Sequence, residues 1–135
     1  MKLFILLTLM ISASAFGQTC PPNVASSCFR EASLINLNYS EAVMFCTNVS
    51  NTCYVDSRNI GTSIKYSRSR CLNVSNNCYT DVSRVHINPL AAQICNNINN
   101  NCYKKLRDEG ESIRKSVLAC EDVIMDCRLC ESDLE

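Results

Sequence analysis

The chain of 135 residues contains no tryptophan, three glycines and a single histidine. Three scattered glycines form no glycine-rich loop, so the sequence offers no phosphate site of that kind. No pattern around His86 supplies the orienting carboxylate and the nucleophile of a catalytic group, and we interpret it as a solvated turn residue. Basic and acidic residues number 13 each. This balance gives no reason to expect a nucleic acid or an anionic membrane as partner.

Long apolar stretches are absent after residue 17. In residues 1–17, Lys2 precedes an apolar stretch that small residues follow, which is typical of a signal peptide. Cleavage after Ala15 and cleavage after Gly17 both fit these small residues. The stretch is shorter than the roughly 20 residues that span a bilayer, so we predict no membrane span. We expect a secreted, extracellular protein (periplasmic in a bacterium) in which residues 18–135 form one domain.

Cysteine, in contrast, is abundant, with 11 residues. Five cysteines recur at steps of 25, 25, 24 and 25 residues, namely Cys28, Cys53, Cys78, Cys102 and Cys127. Each has another cysteine seven or, in the first copy, eight residues upstream, and these are Cys20, Cys46, Cys71, Cys95 and Cys120. The pattern indicates five tandem copies of about 25 residues. It specifies no reaction.

The spacing of apolar residues predicts helices. In the third and fifth copies these residues alternate in steps of three and four, which is the period of an amphipathic helix and not of a strand. We predict helix starts at Ser40, at Thr62 or Ser63, at Asn88 and near Glu111, and turns at residues 36–38, 59–61, 86–88 and 108–110. Each copy then forms one helix of roughly 18 residues, and the four regular copies and a shorter first segment pack as an all-α bundle of antiparallel hairpins. The Asn and Ser residues between paired cysteines favour the alternative of an irregular loop closed by its own disulfide.

In an exported chain these cysteines are expected to form disulfides. Cysteines seven apart on one helix lie roughly 10 Å apart, too far for a bridge, so we expect bridges between neighbouring helices. A register centred on Gly61 and Gly110 pairs Cys53 with Cys71, Cys46 with Cys78, Cys102 with Cys120, and Cys95 with Cys127, and it leaves Cys20, Cys28 and Cys130. A register centred near His86 pairs Cys78 with Cys95, Cys71 with Cys102, Cys28 with Cys46, and Cys20 with Cys53. We favour the glycine-centred register because the glycines provide the turns.

An odd number of cysteines leaves one thiol that is free or joins two chains. Cys130 lies outside the repeat, and we predict it as this thiol and as the link of a disulfide-bonded dimer. With Cys127 it matches a redox Cys-x-x-Cys pattern, but a position near a helix C-terminus disfavours the thiolate that redox chemistry needs. Helices lined by cysteine can also hold Cu(I) or Zn, and a cysteine-lined metal-binding protein is the alternative function.

Two further patterns concern the surface. Asn-x-Ser triplets, the acceptor pattern for N-glycosylation, begin at Asn38, Asn48 and Asn73. A basic and aromatic stretch, which we interpret as the solvated face of a helix, contains Lys65, Tyr66, Arg68 and Arg70. We therefore predict a secreted, disulfide-stabilised helical binding or structural module without catalytic activity or cofactor, whose partner is an unidentified protein or glycan.

Overall fold

The computed structural model describes residues 19–121, and in this part of the chain all regular secondary structure is helical. The prediction of an all-α fold is confirmed. The first four α-helices are α1 (Ser26–Ala32), α2 (Tyr39–Cys46), α3 (Asn51–Asn59) and α4 (Ile64–Cys71). The next four are α5 (Asn76–Val82), α6 (Asn88–Ile94), α7 (Asn100–Asp108) and α8 (Ile113–Cys120), and a short 3-10 helix (Ser33–Ile35) follows α1. The predicted signal peptide, the fifth copy around Cys127, and Cys130 lie outside the described residues.

Consecutive helices form four hairpins, which we number 1 (α1 and α2), 2 (α3 and α4), 3 (α5 and α6) and 4 (α7 and α8). One disulfide joins the first helix of each hairpin to the end of its second helix: Cys28 to Cys46, Cys53 to Cys71, Cys78 to Cys95, and Cys102 to Cys120. The start of one helix thus lies beside the end of the other, so the two helices are antiparallel. The Cα atoms of each pair are 5.6 to 5.8 Å apart, within the range that a disulfide needs.

The glycine-centred register is half right. The structure confirms two of its pairs, Cys53 with Cys71 and Cys102 with Cys120. It contradicts the other two, Cys46 with Cys78 and Cys95 with Cys127, because Cys46 is bonded to Cys28, and Cys78 is bonded to Cys95. Each hairpin carries one disulfide where the prediction placed two.

The reason for the difference is that the predicted helix of roughly 18 residues is split in two. Cys46 ends α2 and Cys53 lies in the first turn of α3, with four non-helical residues between the two helices. Asn48 has a φ of 59°, a left-handed conformation that interrupts an α-helix, and the Ser50 side chain caps α3 by accepting a hydrogen bond from the Cys53 N–H. Residues 19–121 therefore contain eight short helices where the prediction had four long helices and a shorter first segment. The alternative of a loop closed by its own disulfide is also wrong, because Cys46 and Cys53 are bonded to other cysteines.

The predicted turns and helix starts agree with the structure to within one or two residues. Asn38 and Glu41 form a capping box at the start of α2, and Ser63 caps α4 through the Tyr66 N–H. Pro89 lies in the first turn of α6, where a missing N–H costs nothing. The left-handed Gly61 and Gly110, with φ of 87° and 88°, end the turns of hairpins 2 and 4.

The hairpins stack in the order of the sequence. The first helices α1, α3, α5 and α7 each pack on the next, and α4 packs on α6. The buried core repeats with the hairpins, since seven of the eight bridged cysteines, all except the half-buried Cys102, and one aromatic ring from each first helix are fully or almost fully buried. These rings are Phe29, Tyr54, Tyr79 and Tyr103. None of the helices in residues 19–121 is long and apolar enough to cross a membrane.

Candidate functional site

The connections between hairpins form one edge of the stack. We call them linkers, and they comprise residues 22–25, 47–50, 72–75 and 96–99. Each of the last three contains a left-handed asparagine, Asn48, Asn73 or Asn97, with φ between 56° and 59°. A residue that caps the next helix ends each of these three linkers, with Ser50, Ser75 and Asn99 accepting from the N–H of the cysteine three residues later. The linker geometry therefore follows from two local signals.

Hydrogen bonds between main-chain atoms join the linkers into a ladder. The Asn73 N–H donates to the Asn48 carbonyl at 2.7 Å, and the Asn97 N–H donates to the Asn73 carbonyl at 2.8 Å. One residue of each linker also forms an antiparallel bridge with the residue that comes directly after the following hairpin. The last of these four bridges joins Ile98 to Glu121. Main chains bonded in this way lie about 4.8 Å apart, whereas helices pack about 8–10 Å apart. The linkers thus lie on the tight, inner edge of the stack.

A second set of asparagines fixes the spacing of the hairpins. The first residue of α3 is Asn51, and its side-chain oxygen accepts from the Ser27 N–H of hairpin 1 at 2.9 Å. In the next hairpins the Asn76 oxygen accepts from the Ser50 hydroxyl at 2.7 Å, and the Asn100 oxygen accepts from the Ser75 hydroxyl and the Asn77 N–H. These asparagines are therefore structural, because each ties its hairpin to the one before.

The left-handed asparagines are different, since their side chains are available. Asn48, Asn73 and Asn97 are solvent-exposed, and within residues 19–121 their side-chain amides form no hydrogen bond. Together with Asn23 in the first linker they line a groove of about 920 Å³, which we call the asparagine groove. None of its 17 lining residues carries a charge, and four of them, Val24, Val49, Val74 and Ile98, are largely buried apolar residues. The groove thus presents amides at regular steps over an uncharged surface.

Tyrosines on the other side of the first helices link the hairpins through carboxylates. The Tyr54 hydroxyl donates to Glu31 at 2.6 Å, Tyr79 donates to Asp56 at 2.9 Å, and Tyr103 donates to Asp81 at 2.9 Å. Each acceptor belongs to the preceding hairpin. In two of the three links an arginine binds the same carboxylate, with Arg58 Nε 2.8 Å from Glu31 and Arg107 Nε 3.1 Å from Asp81.

Burial in these links changes the pKa values. Burial, followed by the hydrogen bond to a carboxylate, raises the pKa of Tyr103 to about 12. Burial also raises the pKa of Tyr79 to about 12, although the hydrogen bond from Asn88 acts in the opposite direction. For Glu31, burial acts to raise the pKa, but the hydrogen bonds from Arg58 and Tyr54 and the arginine charges outweigh it and hold the pKa below its ordinary value. The links therefore keep the tyrosines neutral and Glu31 ionised, which is a structural role.

Eight of the cysteines in residues 19–121 form no thiolate cluster, because their sulfurs are joined in the four disulfides. Residues 19–121 also contain no group of three or more His, Cys, Asp or Glu that could hold a metal ion. Cys20 is the one described cysteine outside the four disulfides; it is half-buried, and burial raises its pKa. Cys127 and Cys130, the predicted redox pair and free thiol, lie beyond the described residues, so the prediction of a dimer through Cys130 stays a prediction.

The structure also shows the positions of the other surface residues that the sequence singled out. His86 is exposed in the turn of hairpin 3. Arg68 donates to the Phe45 carbonyl and lies over its ring, and Arg70 donates to Asn88, so these two arginines join hairpin 2 to its neighbours. Only Lys65 and Tyr66 form the solvated face predicted for this stretch. The triplet residues Asn48 and Asn73 lie in the asparagine groove, whereas Asn38 caps α2.

An apolar groove of about 450 Å³ lies at the opposite edge, between hairpins 3 and 4. Its lining includes Val85, Ile94, Leu118 and the side chain of His86. Neither groove was predicted from the sequence. The signal for the asparagine groove is the recurring Asn-Val or Asn-Ile pair that begins three residues before the first helix of each hairpin.

Comparison with known proteins gives no relative, since no family model, curated protein or solved structure matches the chain.

Proposed function

We propose that the protein is a secreted binding module without catalytic activity, and that it binds its ligand along the asparagine groove. The single observation that carries this proposal is the row of exposed, unbonded amides at corresponding positions of successive linkers. The asparagines that tie one hairpin to the next, Asn51, Asn76 and Asn100, use their side chains in hydrogen bonds, whereas the left-handed asparagines need only their backbone conformation and leave their amides unbonded. Amides without a partner offer donors and acceptors to a ligand at no cost to the fold.

The disulfides support a binding role for a different reason. They restrict the unfolded chain and hold each hairpin closed, so the groove is formed before the ligand arrives and binding needs little ordering of the protein. Secretion, the localisation inferred from residues 1–17, fits a domain that depends on four disulfides.

The test is a binding screen with purified protein that forms its disulfides in a bacterial periplasm and carries no N-glycans. Arrays of extracellular glycans and of peptides are probed with the wild type and with a triple variant, Asn48→Gly, Asn73→Gly and Asn97→Gly. Glycine keeps the left-handed backbone, so the triple variant stays folded and loses only the amides. We expect it to lose the binding that the wild type shows. Equal binding by both proteins would contradict the proposal.

The absence of catalysis is tested with the same preparation. We expect no turnover in hydrolase and thiol-oxidoreductase assays. A thiol-dependent turnover that disappears in Cys130→Ser would show instead that the chain is an enzyme.

A further inference from the structure

We propose that the ligand of the asparagine groove is an uncharged polysaccharide chain that lies along the stack with its sugar units across successive linkers. This inference rests on the proposed function and names its ligand class. The lack of charge in the groove favours an uncharged ligand. Seventeen residues line the groove and none is ionisable, so an anionic or cationic ligand would lose hydration without gaining an opposite charge. A neutral ligand avoids this loss.

The exposed carboxamides of the groove form the same kinds of hydrogen bond as sugar hydroxyls. A carboxamide donates through its NH₂ group and accepts through its oxygen, and a sugar hydroxyl also does both. Asn48, Asn73 and Asn97 therefore match neighbouring hydroxyls in either orientation. Val49, Val74 and Ile98 each follow one of these asparagines in the sequence and also line the groove, so the small apolar surface that they leave exposed is close to the amides. A sugar ring likewise presents hydroxyls beside an apolar C–H face.

The main-chain groups of the linkers do not fit an extended peptide. A peptide that adds to a sheet edge binds through free main-chain groups. Here the Asn73 N–H and the Asn73 carbonyl are already bonded to neighbouring linkers, so the groove offers side chains and not a sheet edge. Groups on one side of an extended peptide also repeat every ~6.6 Å, which does not match linkers about 4.8 Å apart. The groove therefore does not fit a peptide strand.

The experiment measures dissociation constants by calorimetry for neutral oligosaccharides of one to six units, cut from cellulose, chitin and starch. Heparin fragments of the same lengths serve as charged probes. We expect at least one neutral series to bind, with affinity that increases with length until the chain covers the four linkers. Heparin fragments should bind more weakly than neutral fragments of equal length.

Matched variants locate the binding. Asn73→Gly keeps the left-handed backbone and should weaken binding about fivefold, as expected for one lost hydrogen bond, and the triple glycine variant should weaken it about a hundredfold. The control is Asn36→Gly, because Asn36 is also exposed and left-handed, with a φ of 62°, but lies in the turn of hairpin 1 at the other edge of the stack. The control should bind as the wild type does.

Each outcome has a distinct meaning. Failure of every neutral series to bind, or binding that the triple variant retains, overturns the polysaccharide inference. If the triple variant instead loses binding to a peptide or to a charged glycan, the groove is the binding site and only its ligand class is wrong. If it loses no binding to any probe that the wild type recognises, the proposed function fails as well.

Discussion

Hairpins 2 and 4 close differently from hairpins 1 and 3. In hairpins 2 and 4 the first helix has nine residues, a left-handed glycine ends the turn, and an arginine of the first helix donates to a carbonyl on the far side of the turn. These arginine bonds run from Arg58 to Thr62 and from Arg107 to Glu111. Hairpins 1 and 3 have first helices of seven residues and no glycine. Exposed apolar side chains do not separate the two kinds of turn, since Leu34, Val85 and Ile87 are 71%, 75% and 74% exposed and Ile60 in the turn of hairpin 2 is 61% exposed.

The comparison shows which features define the hairpin. All four hairpins keep the disulfide, the buried aromatic ring and the linker, although their turns differ. The turn therefore closes the hairpin but does not determine its pairing. We infer that hairpin 3 depends more on its disulfide than hairpin 2, because hairpin 2 has the glycine and the arginine in addition.

Removal of disulfides should give the largest effects. The double variants Cys53→Ala/Cys71→Ala and Cys78→Ala/Cys95→Ala each lose a bridge that closes a loop of 18 or 17 residues. We expect each to lose about 3 kcal/mol of unfolding free energy, measured by guanidinium unfolding. The loss should be greater in hairpin 3. Equal losses would show that the glycine and the arginine add nothing to the closure of hairpin 2.

Replacement of the tyrosines tests whether an arginine stabilises the tyrosine–carboxylate link between two hairpins. Tyr79→Phe leaves Asp56 and the Asn88 amide without the hydroxyl that both contact, and we expect a loss of about 2 kcal/mol. Tyr54→Phe should cost about 1 kcal/mol, because Arg58 still binds Glu31. Urea unfolding of both variants measures the difference. A greater loss for Tyr54→Phe would contradict the view that the arginine secures its link.

The turn glycines should have a smaller effect. Gly61→Ala places a side chain at a φ of 87° with no atom within 4 Å of the new Cβ, so only the backbone conformation opposes it. We expect a loss of about 1 kcal/mol. Val85→Ala in the turn of hairpin 3 should change stability little, since this side chain is largely exposed. Thermal unfolding of the two variants compares the two turns. If Gly61→Ala were as stable as the wild type, the glycine would not distinguish the turn of hairpin 2 from that of hairpin 3.

The smallest effect concerns pH. The pKa of Glu31 in the folded protein is lower than its ordinary value, so its contribution to stability is present above the ordinary pKa and is lost as pH falls through the lowered pKa. Arg58→Gln removes one cause of this lowering and should flatten the decline in stability at acid pH. Unfolding in urea at a series of pH values tests this. A decline of unchanged steepness would mean that Arg58 does not hold Glu31 ionised.

The sequence predicted the helical class, the turns and two of the four disulfides. The other two bridges could not be chosen from spacing alone. Because the cysteines recur about every 25 residues, hairpins centred on the turn near His86 and hairpins centred on the turn at Gly61 both bring cysteines into pairs. The two registers assumed helices that continue from Cys46 to Cys53. Asn48 and Ser50 break that helix, and each hairpin then has room for one bridge. The asparagines and serines were visible as poor helix formers, but their left-handed and capping roles depend on backbone angles.

The asparagine groove was harder to predict for a related reason. Asn48 and Asn51 differ by three positions and have the same chemistry, yet one side chain is exposed and the other is bonded to hairpin 1. Only the stacking of hairpins separates them. The sequence contained the residues of the site but not the distinction between its structural and its available amides.

The placement of the disulfides also determines how the chain would carry mechanical tension. Each bridge bypasses the 17 or 18 residues of its own hairpin, so a pull on the two ends reaches the next hairpin only through the segments between bridges. One such segment runs from Cys46 to Cys53 and can extend to roughly 25 Å. These segments contain the linkers, so a stretching force would open the asparagine groove before it could unravel a turn. A chain built this way would lose the proposed binding surface at an early stage of stretching and would then resist further extension, because the remaining length is enclosed by covalent bonds.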